Sequence, residues 1–214
     1  MSLNVGGSPV SNVYLGDSQV SGIYLGSQEI WTSRYWDFED DFERSSIGSA
    51  WQGSGAVIAG TAPNRHLKKN NTAGSADYWS VQQFGGDDFV IEALIGPVLD
   101  SQQAASISWG TTNEYIFIEF SKTKSNIIGD YNGRAWNTRA SLPQQQWAEG
   151  DVIRVERTGT TVSVFRNGSL LASATSTLAR GVGKRRLALS VRMDKNFLLS
   201  WYGPTFDEVR VRAR

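Results

Sequence analysis

Between Ile153 and Ser169 the chain carries its strongest local signal, an alternation that reads as strands joined by tight turns. Apolar Ile153 and Val155 take turns with charged Arg154 and Glu156. Successive strand residues point to opposite faces, so this spacing buries one set and solvates the other. Thr158-Gly159-Thr160 turns the chain and residues 161–165 (Thr-Val-Ser-Val-Phe) bring it back. Arg166-Asn167-Gly168-Ser169 then supplies a second reversal. Asn and Gly both tolerate positive φ, which a two-residue type I′ turn requires at both central positions.

The same grammar runs through the rest of the sequence. Residues 89–95 (Phe-Val-Ile-Glu-Ala-Leu-Ile) are apolar on both faces, as a central strand would be. Residues 104–109 and 114–120 read as neighbours across Gly110-Thr111-Thr112-Asn113, with aromatics on alternate positions at Tyr115 and Phe117. Residues 187–193 and 206–212 complete the set. No stretch shows helical periodicity. Eight Trp, seven Tyr and nine Phe beside 22 Gly suit strands joined by tight turns. Strands at intervals of roughly 8–12 residues predict an all-β sandwich, and 214 residues allow one large sandwich with a small appendage.

Composition removes several chemistries. There is no cysteine, so disulfides and thiolate metal sites are excluded. The only histidine, His66, lies in the basic, loop-like stretch Pro63-Asn64-Arg65-His66-Leu67-Lys68-Lys69 and is expected to face solvent. No nearby motif supplies the nucleophile and orienting acid that a catalytic histidine needs. Lys plus Arg balances Asp plus Glu at 21 each, so neither nucleic acid nor an anionic membrane is an expected partner. The basic residues near the C-terminus (Arg180, Lys184, Arg185, Arg186, Arg192, Arg210, Arg212, Arg214) read as a solvated face. No apolar run approaches the ~20 residues of a spanning helix, so membrane insertion is not expected. The start, Met1-Ser2-Leu3-Asn4-Val5-Gly6, lacks a basic region and an apolar core, so no signal peptide is expected.

The first 34 residues contain a repeat. Val10-Ser11-Asn12-Val13-Tyr14-Leu15-Gly16 returns as Val20-Ser21-Gly22-Ile23-Tyr24-Leu25-Gly26, and Ile30-Trp31 follows. Each unit is a short apolar run closed by Gly and a polar turn, which predicts strands with tight returns. So few short strands cannot bury a core alone. Val13, Tyr14, Leu15, Ile23, Tyr24, Leu25, Ile30 and Trp31 are therefore candidate assembly residues, the alternative being a β-meander packed on its own domain. The expected organisation is an attachment or oligomerisation segment at 1–34 and a sandwich domain at 35–214, joined around 32–35.

From about Trp36 onward the chain resembles the concanavalin A-like or laminin-G-like jelly roll. The likeness rests on the opening acidic-aromatic segment with Gly48-Ser49-Ala50-Trp51, on residues 152–168 with their Asn-Gly turn, and on the closing Phe206-Asp207-Glu208-Val209-Arg210-Val211. It implies the fold rather than an activity, because this architecture hosts lectins, hydrolases and scaffolds. The N-terminal repeat resembles the start of minor tail or other virion structural proteins of actinobacterial phages and prophages. What that implies is a virion component made in a bacterial cytoplasm, with other virion proteins as partners, homo-oligomerisation (a trimer, by analogy with tail fibres) and a jelly roll displayed toward host surface glycans. A stand-alone carbohydrate-binding module and a jelly-roll glycoside hydrolase are the alternative functions.

The hydrolase alternative lacks its chemistry in the sequence. Glycosidases need two carboxylates flanking the scissile bond, and jelly-roll glycosidases carry them in a Glu-x-Asp-x-x-Glu motif that is absent here. The strand that carries Glu119 has no such motif, so no enzymatic activity is expected. Sugar binding needs an aromatic face for the pyranose and polar groups for its hydroxyls. Asp130-Tyr131-Asn132-Gly133-Arg134-Ala135-Trp136-Asn137 offers that mixture, making Tyr131, Asn132, Arg134, Trp136 and Asn137 the candidate ligand residues. The alternative is a hairpin whose Tyr131 and Trp136 pack on the sandwich, and Trp79 and Trp147 are expected to serve as core or edge packing. No cofactor is expected beyond a structural calcium, which several jelly-roll families hold between the opening segment and the last strand. Asp37, Asp40, Asp41 and Asp207 are of the type such an ion would take.

Overall fold

A computed structural model describes residues 36–97, 103–121, 126–144, 147–197 and 199–214, together with the backbone of strand segments among residues 4–32. The chain divides into two compact units, Met1–Trp36 and Asp37–Arg214. Among the described residues the first contains three short antiparallel hairpins: β1 (Asn4–Val5) with β2 (Ser8–Pro9), β3 (Tyr14–Leu15) with β4 (Ser18–Gln19), and β5 (Gly22–Leu25) with β6 (Gln28–Thr32). Val13 lies outside the described residues. So do the side chains of Tyr14, Leu15, Ile23, Tyr24, Leu25, Ile30 and Trp31, whose backbone falls in these hairpins.

The second unit is built from β7 (Phe38–Asp40), β8 (Trp51–Gly53), β9 (Ala56–Ala59), β10 (His66–Lys69), β11 (Gly74–Gln83), β12 (Phe89–Ile95), β13 (Ala105–Thr111), β14 (Glu114–Phe120), β15 (Asn126–Tyr131), β16 (Trp136–Leu142), β17 (Val152–Thr158), β18 (Thr161–Arg166), β19 (Ser169–Thr175), β20 (Arg186–Lys195), β21 (Ser200–Tyr202) and β22 (Phe206–Ala213). They form two antiparallel sheets. One runs β19-β18-β17-β12-β22-β10-β9, with β7 added on β22. The other runs β16-β15-β14-β13-β20-β11-β8, with β21 added on β20. No helix occurs among the described residues, so none is long and apolar enough to cross a membrane. This is the jelly-roll-type β-sandwich that the sequence pattern predicts.

The sheets meet through their alternating apolar residues. Ile91, Ile153, Val155, Val162, Val164, Val209 and Val211 come from the first, and Ile107, Trp109, Ile116, Ile118, Leu187, Leu189 and Val191 from the second. The hairpin read at 166–169 is present. Arg166 pairs with Ser169, and Asn167 and Gly168 adopt φ of 49° and 83°. The basic residues of the C-terminal third are tied into specific ion pairs as well as solvated: Lys184 with Glu114, Arg185 with Asp87, Arg210 with Glu92 and Arg214 with Glu156. His66 is buried rather than exposed, because the run 66–69 is a strand flanked by β9 and β22 rather than a loop.

Arg157 continues the inward parity of Ile153 and Val155, so the alternation drives a guanidinium fully into the interior. It is accommodated by carbonyls. Its Nη1 donates to Ala179 O at 3.0 Å, Nη2 to Leu178 O at 2.8 Å and Ser176 O at 3.4 Å, and Nε to Gly159 O at 3.2 Å. Burial, with repulsion from Arg180, lowers its pKa to about 10, still far above neutrality. One side chain thus fixes the segment that follows β19. Arg157→Ala leaves those carbonyls buried without donors and should cost about 3 kcal/mol. For a chain of this size that is a fall of roughly 6–12 °C in Tm, measurable by calorimetry or near-UV circular dichroism.

Candidate functional site

The two central strands of the second sheet carry small residues on the face turned away from the core. Ser106 and Ser108 alternate with Ile107 and Trp109 on β13, and Ala188 and Ser190 alternate with Leu187, Leu189 and Val191 on β20. Taller side chains rise on either side. Register sets two rows across the sheet: Phe117, Ser108, Ala188, Trp79, and Glu119, Ser106, Ser190, Asp77. The result is a trough with a floor of small side chains, one aromatic row and one polar row. It encloses about 360 Å³, and Arg192 and Ser75 extend it by a further row.

The aromatic side is a connected group. Trp79 meets Tyr115 edge-on with centroids 6.0 Å apart. Tyr115 lies 5.4 Å from Tyr131 and 5.5 Å from Trp136. Trp136 lies 5.0 Å from Tyr131 and 5.2 Å from Phe117. Each ring is held by its neighbours, yet Trp136 keeps 64% of its surface exposed. Burial, with help from the Asp77 and Tyr131 charges, pushes the Tyr115 hydroxyl up to about 12, so it remains a donor at any physiological pH. Gly129 is required by this packing. It pairs with Phe117, and a Cβ there would approach Phe117 Cζ to 2.3 Å.

A β-bulge holds the outer wall. Ile128 pairs with Ala140 but Gly129 pairs with Thr138, so Arg139 is the extra residue on β16. A bulge re-aims a side chain, and here Arg139 Nε donates to Asp130 Oδ2 at 2.6 Å. Asp130 is fully buried. It also accepts from Asn137 Nδ2 at 3.0 Å and from Ser176 Oγ at 2.7 Å. Burial alone would raise its pKa, but Arg139, Ser176 and Asn137 together hold it below the usual carboxylate range. Ser176 belongs to the segment that Arg157 grips. A buried polar chain therefore runs from the first sheet to the hairpin that presents Tyr131 and Trp136.

The candidate ligand residues separate by role. Tyr131 and Trp136 face each other across β15 and β16 and join the aromatic group. Asn132 closes the turn, its Oδ1 accepting from the backbone N–H of Arg134 and Ala135. Arg134 is exposed at that turn, and Asn137 is committed to Asp130. Of the two tryptophans expected as core or edge packing, Trp147 is buried in the core and Trp79 stands on the cleft wall. Sequence reading also missed Asp77, Tyr115, Phe117 and the serine floor as site residues. The signal for Tyr115 and Phe117 was their alternation with Ile116 and Ile118, which makes both faces of one strand apolar. Asp77 and Glu119 do not neighbour each other on one strand. Three strand spacings, about 14 Å, separate their backbones.

The four candidate calcium ligands are not brought together. Asp40 is taken by Arg44, by Trp51 Nε1 at 2.6 Å and by the Phe42 N–H at 2.8 Å. Asp37 accepts from the Gly85 and Ala213 N–H groups, and Asp41 from Glu43 N–H. Among the described residues no three carboxylate or imidazole groups converge to hold a metal. Asp37, Asp40 and Asp41 serve as acceptors that order the opening segment.

Asp207 differs from the other three. Burial, with repulsion from Glu149 and Glu43, pushes its pKa up to about 6, and its Oδ1 is buried without a hydrogen-bond partner. The unfolded carboxyl titrates near ~3.9. Its folded pKa is the higher of the two, so the proton favours the fold below about 4, and that stabilisation is lost as pH rises through about 6. Asp207→Asn should therefore raise Tm at pH 7.5 by a few degrees, corresponding to about 1 kcal/mol for a half-exposed group. At pH 4 variant and parent should unfold together, a comparison that differential scanning fluorimetry makes directly.

No family model matches the chain, and no curated protein matches it. Solved structures do. A β-glucanase of Bacillus licheniformis is similar at 16% identity and a TM-score of 0.61, over 85% of this chain and all of that one. A Bacillus subtilis protein of unknown function with a galectin-like fold is similar at 10% identity and a TM-score of 0.61, over 83% of this chain and 96% of that one. The carbohydrate-binding module CBM66 of Bacillus subtilis is similar at 12% identity and a TM-score of 0.54, over 78% of this chain and 95% of that one. At these identities the likeness is one of fold.

Proposed function

We propose that the second sheet binds carbohydrate in the cleft between Trp79 and Trp136, and that the protein acts as a binding module rather than a hydrolase. The observation that carries this reading is Trp136. It is a large aromatic, mostly exposed, held edgewise by Phe117 and Tyr115 beside a floor of serine hydroxyls. An exposed ring face fixed in place is what stacks on the apolar face of a pyranose, and Ser106, Ser108, Ser190, Asp77 and the Tyr115 hydroxyl are placed for its hydroxyl groups. The carbohydrate-binding module and the β-glucanase of similar fold accord with this use of the architecture. A binding role is favoured over hydrolysis by the placement of Asp77 and Glu119 on opposite walls, where no adjacent pair flanks one bond.

A glycan array probed with the full chain, followed by titration of intrinsic Trp fluorescence, tests this. Trp136→Ala should weaken binding at least about tenfold while leaving Tm nearly unchanged, since the ring is mostly solvent-exposed. No binding across the array, or equal binding by parent and variant, removes the reading.

The finer part of the proposal concerns the first unit. The described hairpins have only two to five residues per strand, too few to hold a core alone. With the repeat at 10–26, this favours an attachment element that displays the sandwich on a larger particle such as a virion, toward host glycans. Light scattering should find the full chain oligomeric and residues 37–214, a compact unit by themselves, monomeric and folded. Two identical monomers would make the hairpins an appendage without an assembly role.

A further inference from the structure

The cleft does not end where its walls do. On β20 the residues facing away from the core continue past Ala188 and Ser190 to Arg192 and Asp194, while Leu187, Leu189, Val191 and Met193 remain fully buried. Past Ala105 the neighbour of β20 on the β13 side becomes β21, while Gly74 of β11 still flanks Met193 on the other side, and Asp194 pairs directly with Trp201. Paired residues on adjacent strands share a face, so Trp201 lies on the same surface as the cleft. The two strands continue that surface into a hairpin at whose turn Phe197 and Leu199 are exposed. From Ala188 to Asp194 is six residues, roughly 20 Å of strand.

Trp201 forms no ring pair with another described aromatic. The other paired tryptophans of the two sheets have ring or core partners: Trp51 against Phe38 and Phe42, Trp79 against Tyr115, Trp109 against Phe89, Trp136 against Phe117. Trp201 is half-buried and stands beside Asp194 and one row beyond Arg192. An aromatic face with a carboxylate and a guanidinium alongside is the same combination that the cleft presents at Trp79, Asp77 and Arg192.

We propose that Trp201, with Asp194 and Arg192, forms a second saccharide subsite, so that the ligand is a linear glycan lying along β20 from the cleft to the β20–β21 hairpin, rather than a single sugar or a chain end. This rests on the carbohydrate reading of the cleft. It adds the ligand's class and direction: an oligomer long enough to reach both aromatic contacts, running with the strands. Arg192 sits between the two and contacts the middle of the chain.

Binding is measured by titration calorimetry for cello-, chito-, xylo- and mixed-linkage β-glucan oligosaccharides of two to six residues, with the full chain and with Trp201→Ala and Trp201→Phe. The parent's affinity should climb with length and level off only at the longest members. Trp201→Ala should remove about a tenfold gain on those members while binding the shortest within about twofold of the parent. Trp201→Phe, which keeps a smaller stacking face, should fall between, and it decides the matter if the alanine variant does not fold. Length-independent affinity, or an equal loss at every length, overturns the second subsite while leaving the cleft as a site. Failure of all four series to bind removes both.

Discussion

A buried carboxylate holds the working face together. Asp130 is surrounded by Arg139, Asn137 and Ser176, and Ser176 is in turn gripped through its carbonyl by the interior guanidinium of Arg157. The chain of bonds begins in one sheet and ends in the other. A hydrophobic core alone would fix how far apart the sheets lie, but it is non-directional. The polar chain adds direction, since charge-assisted bonds are strict about geometry and costly to leave half made. The β15–β16 hairpin is an edge element, and edges are where a sheet most readily shifts or frays. Its anchor keeps Tyr131 and Trp136 against Tyr115 and Phe117.

The site is assembled from segments far apart in sequence. Asp77 and Trp79, Ser106 and Ser108, Tyr115 to Glu119, Trp136, and Ala188 to Arg192 meet because β20 inserts between β11 and β13. Small residues on the two middle strands make the depression and large ones on the flanking strands make its walls. The cleft is a consequence of side-chain size set against strand order, with no long loop needed to shape it.

That division explains what could be read from the sequence. Strands such as β17, β18 and β12 were legible because alternation, turn residues and apolar runs are local. The type I′ turn at Asn167-Gly168 was legible for the same reason. Trp136 and Tyr131 were found as candidates because they share one hairpin with polar neighbours. Trp79 was misplaced because a lone aromatic in an alternating strand looks the same whether its row ends in core or in a cleft. The companionship of β11, β20 and β13 is a long-range fact that no window of ten residues contains. The Arg139 bulge was invisible too, since one extra residue leaves the pattern of β16 almost unchanged while reversing which side chains reach Asp130. His66 was misjudged because a basic stretch with Pro and Asn resembles a loop until a partner strand is placed beside it.

A floor made of pleated sheet has a built-in graduation. Contacts recur about every 4.8 Å across the strands and about every 6.7 Å along them, since only alternate residues face outward. A repeating polymer laid on such a surface meets a repeating set of partners, so more than one register satisfies it. Each additional register adds a way of being bound without adding a contact. A long ligand can shift by one repeat without fully leaving, and its residence then depends on how many repeats it offers as well as on the strength of any single one.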